Sequence, residues 1–378
     1  MKIQQTKWTS GNWAGELKEN QNAQIVFMFG STSILSEKQP LIETVRKAFP
    51  KAVLFGCSTS GEILDTQVTD ETLAITSVEF KSTRLQTAYA TIKDAKDSFS
   101  VGQNLTKQLS KEELVHILVL SDGLNINGSD LVKGLLDELP EGVTVTGGLS
   151  GDGARFQKTL VFDAKGQARQ DTVAAIGFYG KQLKVGYASL GGWDPFGPER
   201  VITRSKDNVL YELDGKSALE LYKQYLGEHA KGLPGTGLLF PLSLRADSGA
   251  TPVVRTILAV NEKDQSITFA GTMPQGAMAR FMKANFDRLI DGAAGAAKAS
   301  YSTVGSANPD LAILISCVGR KLILKQRIEE EVESVRDVLG AKTALTGFYS
   351  YGEISPFTPG AKCELHNQTM TITTFTET

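Results

Sequence analysis

Short runs of apolar residues alternate along this chain with stretches in which apolar positions recur three and four apart, and the alternation occurs three times. An unbroken apolar run bounded by turn residues predicts a buried strand, and three-and-four spacing predicts a helix with one apolar side. In the first copy, Ala23 to Phe29 is apolar almost throughout and ends at Gly30. Pro40 stands where a helix can start. Leu41, Ile42, Val45, Ala48 and Phe49 follow at helical spacing, and Pro50 stops the helix. Ala52 to Phe55 predicts a second strand that runs into Gly56-Cys-Ser-Thr-Ser-Gly-Glu-Ile63. The second copy has a strand from Leu114 to Leu120 and a turn at Ser121-Asp-Gly123. A helix capped by Ser129 or Asp130 follows, carrying Leu131, Leu135, Leu136 and Leu139. Val143 to Val145 then leads into Thr146-Gly-Gly-Leu-Ser-Gly-Asp-Gly153. The third copy has a strand from Leu311 to Cys317 and a helix with Ile328, Val332, Val335 and Leu339, ended by Gly340. Thr343 to Leu345 and the turn Thr346-Gly-Phe-Tyr-Ser-Tyr-Gly-Glu-Ile354 complete it.

Strand, helix and strand in this order imply two parallel strands joined by a right-handed crossover. The three Gly/Ser/acid turns then lie beyond the carboxyl ends of strands, where such sheets collect ligands. Between the copies come strand-patterned runs: Leu73 to Phe80, Leu85 to Ile92, Thr159 to Phe162, Val173 to Tyr179, Leu183 to Ser189, Val253 to Val260, Gln265 to Ala270 and Thr369 to Phe375. Asp163-Ala-Lys-Gly166, Tyr179-Gly-Lys181 and Asn261-Glu-Lys-Asp264 read as turns joining them in hairpins. So many hairpins exclude a simple doubly wound fold. The expectation is a mixed α+β protein of two related halves, with mixed sheets covered by helices. A boundary falls before Asp214-Gly-Lys-Ser217, where a helix begins that runs to about Leu226.

The 378 residues suit two domains. Lys and Arg number 40 against 42 Asp and Glu, without the basic bias of a nucleic-acid surface. Cys57, Cys317 and Cys363 form no CxxC pair, so neither a cysteine zinc site nor a disulfide framework is expected. The first residues hold no apolar core of a secretory signal. The longest apolar runs fall well short of the roughly 20 residues of a membrane helix. The chain is therefore expected in the cytoplasm.

The turns resemble a known family. Phe55-Gly-Cys-Ser-Thr-Ser-Gly-Glu-Ile63 and Gly147-Gly-Leu-Ser-Gly-Asp-Gly-Ala154 resemble signature stretches of the N-terminal FIST domain. Ser316-Cys-Val-Gly-Arg320, Gly347-Phe-Tyr-Ser-Tyr-Gly-Glu-Ile354 and Leu365-His-Asn-Gln-Thr369 resemble those of the C-terminal FIST domain, and Asp214 to Tyr222 resembles its opening helix. The resemblance implies a FIST N-terminal domain over residues 23–213 and a C-terminal one over 214–378. It implies a bacterial sensory protein of signal transduction that binds amino acids or related metabolites. With nothing here resembling an output domain, such a protein signals by contact with a histidine kinase, a chemoreceptor or a cyclic-di-GMP enzyme. A subset of the family binds haem and senses nitric oxide, which makes haem the alternative cofactor and His229 its candidate axial ligand.

Glu62, Asp152 and Glu353 close the three turns, and each can either accept from a ligand amine or tie its own turn. Tyr349, Ser350 and Tyr351 crowd around Glu353, and aromatic rings beside a few polar groups line small-molecule pockets. Arg255 and Arg320 end apolar strands and Arg245 precedes one; each can grip a carboxylate or pair with a surface acid. His366 suits a pocket or a sheet edge, and His116 inside an apolar run suits the core. The expected ligand site is Tyr349, Ser350, Tyr351 and Glu353 with Arg255, Arg320 and His366. Cys57, Ser58, Thr59, Glu62, Ser150 and Asp152 form a second candidate. No G-x-S-x-G or H-E-x-x-H occurs, and Gly215-Lys-Ser217 lacks the earlier glycine of a phosphate loop. No enzyme activity and no metal are expected. The remaining catalytic alternative is a thiol hydrolase through Cys57, which needs an adjacent base.

Overall fold

The three repeats become three mixed sheets. The structure is a computed structural model and describes every residue except 94, 246–251, 305–307 and 359. The first repeat runs β1 (Lys2–Thr9), β2 (Ile25–Gly30), α1 (Gln39–Ala48), β3 (Val53–Ser58), a hairpin of β4 (Glu62–Leu64) and β5 (Gln67–Thr69), then β6 (Leu73–Glu79). The second runs β7 (Arg84–Thr91), α2 (Ser98–Gln108), β8 (Leu114–Ser121), α3 (Gly128–Leu136), β9 (Thr144–Leu149), a hairpin of β10 (Val161–Phe162) and β11 (Ala168–Arg169), then β12 (Thr172–Tyr179). The third opens with β13 (Leu183–Leu190) and is interrupted by an inserted module that holds α4 (Ala218–Leu226). It resumes with α5 (Phe286–Val304), β14 (Leu311–Cys317), α6 (Val318–Leu324), α7 (Ile328–Leu339) and β15 (Ala344–Ser350). A hairpin of β16 (Gly352–Pro356) and β17 (Cys363–His366), then β18 (Met370–Glu377), ends it.

Each crossover joins parallel neighbours in one sheet: β2 with β3, β8 with β9 and β14 with β15. The helices obey their sequence signals. Pro40 lies in the first turn of α1, and Gly340, at φ +83°, stops α7. Two expectations are corrected. The cap of α3 is Asn127, which accepts from the N–H groups of Ser129 and Asp130, so those two residues lie inside the first turn. Tyr179-Gly-Lys181 does not close a hairpin: β12 already has β8 on one edge and β7 on the other, so β13 passes to another sheet.

Every repeat gives its hairpin to a neighbour. Sheet one has the order Asn12–Ala14, β1, β6, β2, β3, β10, β11. Sheet two is β7, β12, β8, β9, β16, β17, and sheet three is β13, β18, β14, β15, β4, β5. In all three the repeat's own strands come first and a hairpin from another repeat completes the edge. Repeat two completes sheet one, repeat three completes sheet two, and repeat one completes sheet three. The strand order is therefore cyclic and threefold, and strands from both sides of residue 214 share sheets two and three.

The three sheets turn one face inward on a common core of Phe27, Phe29 and Phe55, Leu118 and Phe178, and Ile313, Phe348 and Phe375. Ring pairs bridge the sheets, with Phe29 to Phe348 at 4.9 Å and Phe178 to Phe375 at 5.0 Å between centroids. Each contributes about 0.5–1.5 kcal/mol beyond its buried area. The outer faces are covered by helices: α1 on sheet one, α2 and α3 on sheet two, α5 and α7 on sheet three. The inserted module is an eight-stranded antiparallel sheet with α4 packed against it. Its first strand starts at Asp194, which pairs with Lys283 at the end of its last, so the module leaves and rejoins the core at one place.

Candidate functional site

The Gly/Ser/acid turns are the points where each repeat crosses to the next sheet, and they bind one another there. Gly151 donates to the carbonyl of Ser58, Ser60 to that of Tyr349, and Tyr351 to that of Leu149. The Ser58 hydroxyl donates to Gly151 O at 2.7 Å and accepts from Leu160 N at 2.8 Å. Ser150 Oγ donates to the carbonyl of Ser121. A side chain on Gly151 would collide with Ser60 Oγ at 2.3 Å, which is why a glycine stands at this crossing. Gly61, at φ +137°, lies under Lys321, whose ammonium donates to Ser60 O.

Glu62 and Glu353 occupy equivalent places. Glu62 accepts from Thr59 Oγ1 three residues back and from both N–H and Oγ1 of Thr72, just before β6. Glu353 accepts from Ser350 Oγ three residues back (2.7 Å) and from both N–H and Oγ1 of Thr369, just before β18. Each thus ties its turn to the strand that returns into its repeat's sheet. Burial pushes Glu62 up to about 7 and Glu353 up to about 8, against the pull of these donors. Asp152 differs. Burial pushes its carboxyl up, but Arg155 at 2.7 Å and the N–H of Lys158 outweigh that and hold it below the usual range.

The other candidates separate into enclosed and cleft-facing groups. Arg320 is fully buried against Glu331 and donates to the carbonyls of Gly191, Leu289 and Gln368. Tyr349 turns to the same Glu331, its hydroxyl at 2.8 Å. His366 is buried, its Nε2 bonded to Ser355 O, and burial lowers it to about 4. Cys57 lies in the central core, where burial pushes the thiol far up and no histidine touches it. His116 bonds Thr144 and Thr146 through its two nitrogens. Arg245 pairs with Glu199. Of these candidates, Tyr351 and Arg255 line clefts formed by the described residues.

The FIST N domain model matches residues 24–216 and the FIST C domain model residues 218–356. The chain belongs to the FIST family. FIST domains are sensory domains of signal transduction. No match to a curated protein is found. Among solved structures, the crystal structure of cyanuric acid hydrolase from A. caulinodans is similar over 94% of this chain and 90% of that one, with 7% identity and a TM-score of 0.37. A likeness so remote says nothing about activity.

In this FIST protein two of the clefts lie along the seam between sheet two and the inserted module. The larger, about 670 Å³, is lined from the core side by Asn127, Asp130, Phe156 and Tyr351 and from the module by Asn208 and Leu258. Phe156 stacks on Tyr351 at 4.3 Å and 13°, and its N–H donates to the Tyr351 hydroxyl. Phe156 is 44% exposed and Leu258 46%, and Phe156 holds φ +53°. A bulky aromatic in that region stores strain of order 1–3 kcal/mol, which the surrounding contacts must hold. The sequence reading missed Phe156, Leu258 and Asn208. The available signal was an aromatic residue directly after Gly151-Asp-Gly-Ala-Arg155, in a turn with no apolar pattern of its own.

His229 is exposed on the short helical segment Gly227–Gly232, its ring 5.2 Å from that of Phe240. Among the described residues no His, Cys, Asp and Glu cluster suits a metal ion, and no helix is long and apolar enough to cross a membrane.

Proposed function

We propose that this FIST protein is a cytoplasmic small-ligand sensor whose ligand binds in the seam between the three-sheet core and the inserted module. The observation that carries the reading is the Tyr351–Phe156 stack, which faces Leu258 across a cleft that also holds amides and a carboxylate. Aromatic surface with a few polar groups is the usual lining of a small-molecule site. Amino acids and related metabolites match it, since Asp130 and the amides of Asn127 and Asn208 supply both acceptors and donors. A ligand there touches core and module together and so changes how they are held. A histidine kinase, a chemoreceptor or a cyclic-di-GMP enzyme would read that change by contact. The protein is not an enzyme in this reading: the hydroxyls of Ser58, Ser60 and Ser150 donate to backbone carbonyls, those of Thr59 and Ser350 to the glutamates that close their own turns, and no histidine bonds Cys57.

The test is a thermal-shift screen with amino acids and related metabolites. A binding ligand raises Tm by mass action. Tyr351→Ala should then weaken its affinity about tenfold, because the stacked ring and its support for Phe156 are both lost. Tyr351→Phe, which keeps the ring, should lose less. A ligand response that survives Tyr351→Ala intact places the site elsewhere.

A further inference from the structure

Beside the larger cleft a second pocket of about 230 Å³ opens between α3, β17 and the module. Arg255 forms part of its wall. The side chain is buried, 7% exposed, and donates to three backbone carbonyls: Leu365 at 3.0 Å, Val254 at 3.3 Å and Thr272 at 3.4 Å. Its guanidinium makes no ion pair with any described carboxylate, unlike Arg320, which has Glu331. A buried cation that no carboxylate contacts is costly, and Glu364 acts on this one only from a distance. Burial lowers Arg255 to about 10, so it stays charged at neutral pH.

The rest of the lining points the same way. Lys133 and Lys362 stand at the pocket with Arg255, against one lining acid, Glu364; Lys133 is itself paired with Asp130. Ser129 Oγ, on the α3 wall, is buried with no hydrogen-bond partner among the described residues. Val132, Leu136, Leu244, Val253 and Leu365 supply apolar surface. A buried guanidinium whose Nη2 has no bond partner among the described residues, an unengaged hydroxyl and an apolar remainder together suit one class of molecule.

We infer that this pocket binds a small monocarboxylate with an apolar body, its carboxylate on Arg255 and Ser129 and its body against α3 and β17. The inference rests on the reading of the seam as a ligand-binding region and names the chemistry of one end of it. Glu364 is then a competitor: its charge acts on Arg255 without contacting it, and an incoming carboxylate must share that field.

Benzoate and its uncharged counterpart benzamide are the probes, titrated calorimetrically into the whole protein. Benzoate should bind and benzamide should not. Arg255→Met should weaken benzoate about tenfold or more, the usual loss for a charge-assisted hydrogen bond. Glu364→Gln should tighten it, which keeps the idea testable if Arg255→Met fails to fold. Tyr351→Ala should leave benzoate binding unchanged, so failure of the larger cleft as a site and failure of this pocket give different results. Equal binding of the two probes, no benzoate binding at all, or benzoate binding that Glu364→Gln weakens would overturn the assignment.

Discussion

Glu353 carries its carboxyl group wholly inside the protein, and the proton it keeps there has consequences. In the unfolded chain the group titrates near its ordinary 4.5; in the fold it titrates near 8. Below about pH 4 it is protonated in both states and adds no pH dependence. Between 4.5 and 8 the unfolded chain has released the proton while the fold retains it, so stability falls as pH rises. The slope is about 1.4 kcal/mol per pH unit. Above 8 the loss is complete. Glu353→Gln mimics the protonated acid, its amide donating to Ser350 and its carbonyl accepting from Thr369. It should match the wild type near pH 5 and exceed it at pH 9. Urea midpoints across that range check this, and parallel curves would refute it. The glutamate was visible in the sequence as the close of G-x-x-[ST]-x-G-E-I, with Ser350 three residues back. Its second partner, Thr369, sits past an intervening hairpin, a distance that local pattern does not span. Tying the turn and lining a pocket therefore looked alike until the fold brought Thr369 back.

Among the elements, Arg320 of α6 and Glu331 of α7 form a buried latch. The guanidinium gathers the carbonyls of Gly191, Leu289 and Gln368, while the carboxylate holds Tyr349 and Ser316. Removing one partner of such a pair leaves a buried charge and costs about 3–5 kcal/mol. Arg320→Met should lose that much in denaturant unfolding. Adding Glu331→Gln, which neutralises the stranded carboxylate, should restore part of it. A double variant as unstable as the sum of the two singles would show that the residues act separately. Sequence reasoning singled out the arginine, as a grip for a ligand carboxylate or the partner of a surface acid, whereas its partner is a buried one. It did not find Glu331, because that residue stands in the run Glu329-Glu-Glu331 and looks like part of a solvated face. The stripe of Ile328, Val332, Val335 and Leu339 is wide enough to take Glu331 inside with it.

At the scale of the molecule, the repeat was legible and its closure was not. Each strand–helix–strand unit is local, so spacing reveals it. The hairpins that exchange between sheets are short, and β4 pairs with β15 across most of the chain, from Glu62–Leu64 to Thr346–Phe348. Strand patterning carries no information on partners at that range. The exchange has a mechanical consequence. Each sheet needs a strand pair from another repeat, so the core is expected to unfold as one unit, while the inserted module makes no such exchange. Its ends meet in one ladder, Asp194 beside Lys283, close enough for a two-residue turn to bridge. Replacing residues 194–283 with such a turn should leave a protein that unfolds cooperatively, since the central core of Phe27, Phe55, Phe178 and Phe348 loses nothing. Cutting the full chain between Leu213 and Asp214 should instead give two pieces that fold only when mixed, because sheets two and three each draw strands from both. Circular dichroism melts of the shortened protein, the separate pieces and the mixture distinguish these outcomes. A shortened protein without a cooperative melt, or pieces that each melt alone, would contradict the account. The shortened protein also separates structure from sensing: it should fold, yet lose every ligand response that depends on the seam.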